Sequence, residues 1–274
     1  MKVTFLGTGA ADWDWKTYPE GTRGSCSTLV GGVLVDCGAT GLWNLKRAGV
    51  SPSRIRALLV THGHNDHFNV EALAALAARR RDPLRVWATA EVLGRIPAEI
   101  PCERNAIAPG MAFRVAGMSV LALPANHATP DSQEVPLHYL FVRGGVRLLY
   151  ALDGAWTASR ERLLLKAHLK GKPLTAVVWD ATSGATRHDW RFAEHNDLFM
   201  VDDIRASMRT DGLIDDGTAH FFDHVARTLW PKSAAAQERL AKKHGGVLAQ
   251  DGMSVGLERF PVRDVPARPR GRRH

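Results

Sequence analysis

A chain of 274 residues, 45% hydrophobic and 23% charged, carries enough apolar material for a sizeable core and is neither fibrous nor low in complexity. Its three cysteines, Cys26, Cys37 and Cys102, are few, odd in number and outside any CxxC pattern, which excludes a disulfide framework or a cysteine zinc cluster and suits a reducing cytoplasm. The opening run Met1-Lys2-Val3-Thr4-Phe5-Leu6-Gly7 lacks the long apolar core of a signal peptide and no stretch reaches membrane-spanning length, so a cytoplasmic protein without a membrane partner is expected.

The formal net charge of +8 admits two readings. It could draw an anionic partner such as a nucleic acid or a phosphate ester. It is also what solvated surface charge produces, and much of it is local: Arg79, Arg80 and Arg81 form one run, and Arg268, Arg270, Arg272 and Arg273 crowd the C-terminus. A solvated tail explains the excess without any partner, so nucleic acid is not favoured. Residues 263–274 are expected to be a basic, disordered tail, leaving 1–262 as a single domain.

In chain order, residues 3–6 form a β-type run closed by Gly7-Thr8-Gly9. Runs at 28–30 and 33–35 flank Gly31-Gly32 and predict a hairpin. A helix is expected over 41–48, stopping at Gly49, then an apolar strand over 55–60. The Ala/Leu-rich stretch 70–80 predicts a helix, and 84–88 and 118–123 predict strands. Runs 137–142 and 147–152 form a second hairpin around Gly144-Gly145. A helix over 160–169, a strand over 174–179, helices over 197–208 and 235–243 and a short strand over 247–249 complete the pattern. No linker and no steady βαβα alternation appears, so two stacked sheets with helices outside are the simplest architecture.

The densest chemistry follows the strand at 55–60, where His62, His64, Asp66 and His67 fall within six residues. Imidazole and carboxylate suit Zn²⁺, Mn²⁺ or iron, and Gly63 permits the tight backbone that two metal sites in one loop require. A lone histidine is usually a surface or core residue. Four ligand-type groups at this spacing after an apolar strand point to metal.

This HxHxDH run resembles the signature of the metallo-β-lactamase superfamily, and the similarity extends along the chain. Phe5-Leu6-Gly7-Thr8-Gly9-Ala10 resembles the opening strand and turn of its phosphodiesterase branches, and Val35-Asp36-Cys37-Gly38 its early aspartate motif. Asn126-His127, Tyr150-Ala151-Leu152-Asp153 and Ala219-His220-Phe221 resemble the later motifs. The resemblance implies an α/β, four-layer αββα sandwich holding two divalent metal ions, Zn²⁺ or Mn²⁺. His62, His64 and His127 would bind one, Asp66, His67 and His220 the other, with Asp153 bridging and Asp36 supporting the loop. His224 competes with His220, which is preferred because Phe221 follows it as an apolar residue follows the family histidine.

The strand into Asp180-Ala181-Thr182, followed by a polar loop and His195-Asn196-Asp197, resembles the ribonuclease Z-like and cyclic-phosphate phosphodiesterase branches. This implies that a small phosphodiester, cyclic ones included, is attacked by a two-metal-activated hydroxide. His195 would protonate the leaving group, with Asp66 in the metal-bearing machinery. His188 is a weaker candidate for the acid. The plainer reading of His195 is an exposed residue before a helix cap. The branch that opens ribose cyclic phosphates is nearest in pattern, but the cysteine cluster such relatives often carry is absent at 12–18. Trp13, Trp15 and Tyr18 there read better as packing residues than as a stacking wall. Lactonase or thioesterase activity, tRNA 3′-processing and a non-catalytic accessory role in cofactor biosynthesis are the alternatives. A homodimer is left open.

Overall fold

The computed structural model describes residues 1–258. The expected basic tail at 263–274 and the last residues of the expected 1–262 domain lie outside them.

The first half runs β1 (Lys2–Gly7), β2 (Ser27–Val30), β3 (Val33–Val35), α1 (Gly41–Arg47), β4 (Ala57–Leu59), α2 (Val70–Ala77), β5 (Leu84–Ala88), α3 (Ala90–Gly94) and β6 (Cys102–Ala106). The second runs β7 (Ala112–Val115), β8 (Met118–Pro124), β9 (Leu137–Arg143), β10 (Val146–Ala151), α4 (Ser159–Leu169), β11 (Ala176–Asp180), α5 (Leu198–Thr210), β12 (Ala219–Asp223), α6 (Ala234–Lys243) and β13 (Val247–Leu248), before β14 (Ser254–Gly256). One sheet has the order β14-β1-β2-β3-β4-β5-β6, the other β13-β12-β11-β10-β9-β8-β7. Among the described residues no helix is long and apolar enough to cross a membrane.

The inner faces of the sheets pack on each other, with Phe5 and Phe221 facing across the gap at 5.6 Å between ring centroids. The outer face of the first sheet is covered by apolar side chains of α1, α2 and α3, including Leu45, Leu73 and Val92. The outer face of the second is covered by α4, α5 and α6, through Leu165, Val201 and Ala241 among others. The architecture is therefore the four-layer αββα sandwich. Covered on both faces, the central strands are buried throughout, as in Val33–Val35 and Ala176–Asp180.

Strand direction places the site. β3 and β4 run parallel, as do β10, β11 and β12, and β8 shares their sense because both it and β10 pair antiparallel with β9. Their C-terminal ends open toward one edge of the sandwich, where α/β sheets commonly bind ligands. Asp36, Thr61, Asn126, Asp153, Asp180 and His224 all lie at or within two residues of such an end.

Several elements depart from expectation. β6 and β7 were not anticipated because edge strands such as Cys-Glu-Arg-Asn-Ala, largely exposed, need no apolar alternation. The short α3 and β14 also escaped notice. α2 ends at Ala77, three residues early, and Arg80 turns back to donate to the carbonyls of Pro52 and Ile55.

Candidate metal centre

The loop after β4 is held from three sides. The Tyr139 hydroxyl donates to the Val60 carbonyl at 2.6 Å. The Gly63 N–H donates to Glu134 Oε1 at 2.7 Å, while Arg95 donates to the Gly63 carbonyl. A Cβ at position 63 would lie 2.1 Å from Arg95 Nη1 and 2.9 Å from Glu134 Oε2, so a larger residue there would displace the two side chains that grip this peptide. The carbonyl of His64 accepts the N–H groups of His67 and Phe68, at 3.0 and 2.7 Å, closing the turn that returns Asp66 and His67 toward the site.

Among the described residues, Cys26, Asp36 and His67 form one group of ligand-type side chains, and Asp153, Asp180, His195 and His224 form another. Two more are built around the loop. His62, His64, His127 and Asp153 converge in one, and Asp66, His67, Asp153 and His224 in the other, with the ligand atoms of each within 4.8 Å of one another. His64 Nδ1 lies 2.9 Å from His62 Nε2 and 3.1 Å from His127 Nε2. Asp153 joins the groups: Oδ2 is 3.5 Å from His62 Nε2 and 3.2 Å from His67 Nε2, and Oδ1 is 3.1 Å from His224 Nε2. Asp66 Oδ2 lies 3.4 Å from His224 Nε2.

Two Asp–Thr pairs aim the imidazoles. Asp36 accepts the Thr61 backbone N–H at 2.8 Å and the His67 Nδ1–H at 2.8 Å. The Thr61 hydroxyl donates to Asp36 and accepts from His62 Nδ1 at 3.0 Å. On the opposite wall, Asp180 Oδ1 accepts the Thr182 hydroxyl at 2.7 Å, and Thr182 accepts from His224 Nδ1 at 2.7 Å. His127 Nδ1 donates to the Glu194 carbonyl at 3.2 Å. With Nδ1 so engaged, Nε2 of His62, His67, His127 and His224 faces the site with its lone pair, the arrangement a metal-binding histidine needs. Asp36, Asp153 and His224 all adopt left-handed backbone, with φ of 63°, 51° and 59°. Such strain costs about 1–3 kcal/mol per residue and persists only where surroundings impose it.

The donor set fits divalent metal. It consists of nitrogen and carboxylate oxygen, which suits zinc and its first-row neighbours. Asp153 Oδ1, fully buried, has no hydrogen bond of acceptable geometry. The Nε2 atoms of His67 and His224 face each other at 3.2 Å, a contact that needs a proton or a metal ion between the two nitrogens, and against the effect of burial the surrounding carboxylates raise the pKa of both imidazoles. Asp36, Asp66, Asp153 and Asp180 are all buried in a small volume and require positive charge. Burial holds His62, His64 and His127 below the usual histidine range, toward the neutral form that ligates.

His195 stands beside these groups. Its Nδ1 donates to Asp180 Oδ2 at 2.8 Å, and its ring stacks on His224 at 5.4 Å and lies 5.0 Å from His127. Burial would lower its pKa, but Asp180 and Asp153 together raise it to about 9. Asp197 caps α5 by accepting the N–H groups of Phe199 and Met200 at 2.8 Å, a contact worth about 1 kcal/mol that fixes where His195 leaves the helix.

The structure brings together His62, His64, Asp66, His67, His127, Asp153 and His195, with Asp36 behind them. It does not bring His220, which is corrected to His224. His220 lies inside β12 and alternates with Ala219 and Phe221, so its ring points to the outer face, where Nδ1 accepts the Trp179 indole N–H at 3.1 Å. His224 follows the strand end, where the site lies. The signal was available: Ala-His-Phe-Phe-Asp is itself the strand, and the polar run before it is only the approach. His188 is exposed and outside the ligand groups. Thr61, Glu134 and Arg95 were given no role from sequence, and Asp180 and Thr182 were read only as the strand end that leads toward His195. Trp13 and Trp15 donate to the carbonyls of Val225 and Arg23, at 2.7 and 2.8 Å, and Tyr18 packs on Trp43, so they secure a loop.

Fold and site together define a metal-binding αββα protein. Residues 32–198 match the beta-lactamase superfamily domain, and the chain belongs to that superfamily. It is similar to ribonuclease Z of Pyrococcus horikoshii, with 34% identity over 92 residues, 32% of this chain and 29% of that protein. It is also similar to human zinc phosphodiesterase ELAC protein 1, with 39% identity over 72 residues, 25% of this chain and 18% of that protein. The chain thus spans under a third of the length of these curated relatives. Among solved structures, the metallo-beta-lactamase fold protein YhfI of Bacillus subtilis superposes with a TM-score of 0.70 at 16% identity, covering 93% of this chain and 98% of that one.

Proposed function

We propose that this chain is a metal-dependent phosphodiesterase that hydrolyses small phosphodiesters, cyclic ones included. The observation that carries this reading is the Asp180–His195 pair beside two ligand groups that share Asp153. The ligand groups alone would serve a lactonase or thioesterase equally well. An imidazole whose proton is stabilised by a buried carboxylate answers the need of a departing alkoxide. The names of the sequence relatives, a ribonuclease and a zinc phosphodiesterase, support the same class.

His62, His64 and His127 would hold one metal ion, Asp66, His67 and His224 a second, with Asp153 between. Divalent ions held there would neutralise phosphoryl charge and lower the pKa of a water. Asp36 with Thr61, and Asp180 with Thr182, fix the tautomers of the histidines they touch. His195, tied at Nδ1, presents Nε2 as the donor to the leaving oxygen, a role worth about 10²–10⁴-fold. Its side chain is 12% exposed, which lets solvent restore the proton. Zinc is the first metal to load, given the name of the ELAC relative, and manganese the second.

Cleavage of an RNA strand is the second reading, favoured by the ribonuclease Z similarity. The test supplies Zn²⁺ or Mn²⁺ to the purified protein and offers bis(p-nitrophenyl) phosphate, a 2′,3′-cyclic nucleotide, a lactone, a thioester and a precursor RNA. Turnover of the small diesters, abolished in Asp66→Ala, is expected. Turnover of the lactone or thioester alone would overturn the proposal, and cleavage of RNA alone would favour the second reading.

A further inference from the structure

The protein has eight tryptophans; six have a bonded indole N–H or a ring partner, as Trp13 has with Val225 and Trp43 with Tyr18, and Trp190, 78% exposed, carries the guanidinium of its neighbour Arg191 over its ring at 5.3 Å. Trp156 is the exception among the described residues. Its side chain is 44% exposed, with neither a hydrogen bond from its indole N–H nor a ring partner. Its backbone is nevertheless in the left-handed region, with φ of 60°, three residues after the similarly strained Asp153. A bulky residue adopts that conformation at a cost, and the surroundings enforce it. The Trp156 N–H donates to Asn196 Oδ1 at 2.8 Å, and Asn196 Nδ2 donates to the Gly154 carbonyl at 2.8 Å. Asn126 grips the same turn from the other side, donating to the Ala155 carbonyl at 2.9 Å. These amides are the chain neighbours of His195 and His127. The turn that carries the indole is thus registered to the residues proposed to act on the phosphodiester.

A second segment held by the same Asn126 amide repeats the chemistry. Phe192 is 57% exposed on the turn just before His195, and that turn is tied to the site through Asn126 Nδ2, 3.4 Å from the Ala193 carbonyl. A large apolar ring left in water, yet fixed by hydrogen bonds to a reactive centre, is placed for a ligand face.

Resting on the phosphodiesterase reading, we infer that Trp156 is a specificity-determining residue, an exposed platform that stacks on a flat aromatic group, such as a nucleobase, carried by the phosphodiester. Stacking of a base on an indole is insensitive to which base it is, so the platform selects for a planar substituent rather than for one nucleoside.

The experiment is isothermal titration of the zinc-loaded full chain with adenosine 5′-monophosphate and with ribose 5-phosphate, which share the phosphate and sugar and differ in the base. The nucleotide is expected to bind about tenfold more tightly. Trp156→Ala should abolish that preference with ribose 5-phosphate affinity unchanged, and Trp156→Phe, which keeps a ring, should retain most of it. A preference that survives in Trp156→Ala overturns the inference. So does a wild type that binds both phosphates equally, in which case the phosphodiesterase reading still stands. Binding of neither overturns the inference as well, and turnover of bis(p-nitrophenyl) phosphate then decides separately whether the phosphodiesterase reading stands. Sedimentation supplies the last arm: a dimer dissolved by Trp156→Ala without change in nucleotide preference would assign the ring to a second copy of the chain and overturn the inference.

Discussion

Asp180 accepts the Nδ1–H of His195 at 2.8 Å, and on the opposite wall Asp36 accepts the Nδ1–H of His67 at the same distance. Each carboxylate also accepts a threonine hydroxyl, Thr182 or Thr61, which in turn receives Nδ1 of a further histidine, His224 or His62. The two sheets therefore supply the same device from their strand ends: a buried carboxylate and a hydroxyl that set two imidazoles at once. On one wall both imidazoles belong to the ligand groups. On the other, His224 belongs to them, and the proposed mechanism leaves His195 to carry a proton.

That difference predicts how the walls respond to mutation. His195→Ala should lower turnover of bis(p-nitrophenyl) phosphate by about 10²–10⁴-fold while zinc content, read by mass spectrometry, is unchanged. Because Asp180 and Asp153 outweigh burial and raise the His195 pKa to about 9, the imidazole is protonated below that pH and loses its acid role above it. Turnover should therefore fall as pH rises through about 9, and in Asp180→Asn the fall should move toward the ordinary histidine value of about 6.5. A pH profile identical in the two proteins would break the link between them.

His224 and His220 are separated by a pair of variants. His224→Ala should lose about one equivalent of zinc, since it removes a ligand from a four-residue group. His220→Ala should keep both ions but lower unfolding stability in urea by about 1–3 kcal/mol, because the buried Trp179 N–H loses its acceptor. The reverse pattern of metal loss would reinstate His220.

Asp36→Asn keeps a residue type that tolerates the φ of 63° while removing the charge. An amide in its place no longer enforces the His67 tautomer. Zinc affinity measured by competition with a chelator is expected to fall about 10–100-fold, the usual effect of losing an outer partner of a ligand.

Chelation should be felt as instability. Without a cation, the buried carboxylates of Asp66 and Asp153 lose a counter-charge. At zinc concentrations near a hundred times Kd, binding contributes about 2.7 kcal/mol, so EDTA should lower Tm by about 5–10 °C and added zinc should restore it. An unchanged Tm would argue that these residues hold no metal.

Much of the site was legible in the amino-acid sequence because its densest part is local. His62, His64, Asp66 and His67 fall on one loop, and a run of apolar β-branched and leucine residues announces the strand before it. His127 and Asp153 were legible for a related reason: each follows a strand that reads clearly from its own pattern, Met118–Pro124 or Val146–Ala151. The sandwich followed from strand-rich segments that lack a steady βαβα order. Local information was enough wherever strand and ligand adjoin.

Tertiary structure decided the rest. Between His220 and His224 the choice turns on which face of β12 is outward and where the strand ends, and both are set by pairing with β11 rather than by the five residues themselves. The Gly63 peptide is gripped by Arg95 and Glu134, 32 and 71 positions away in the chain. Asp180 and Thr182 acquire their roles only because β11 lies between β10 and β12, bringing their C-terminal ends side by side. Trp156 is read as a platform only once its turn is seen to be tied to Asn126 and Asn196, the chain neighbours of His127 and His195. The common cause is that hydrogen-bond partners and exposed faces are properties of approach between distant segments, whereas local sequence encodes the period of a strand and the chemistry of the loop that leaves it.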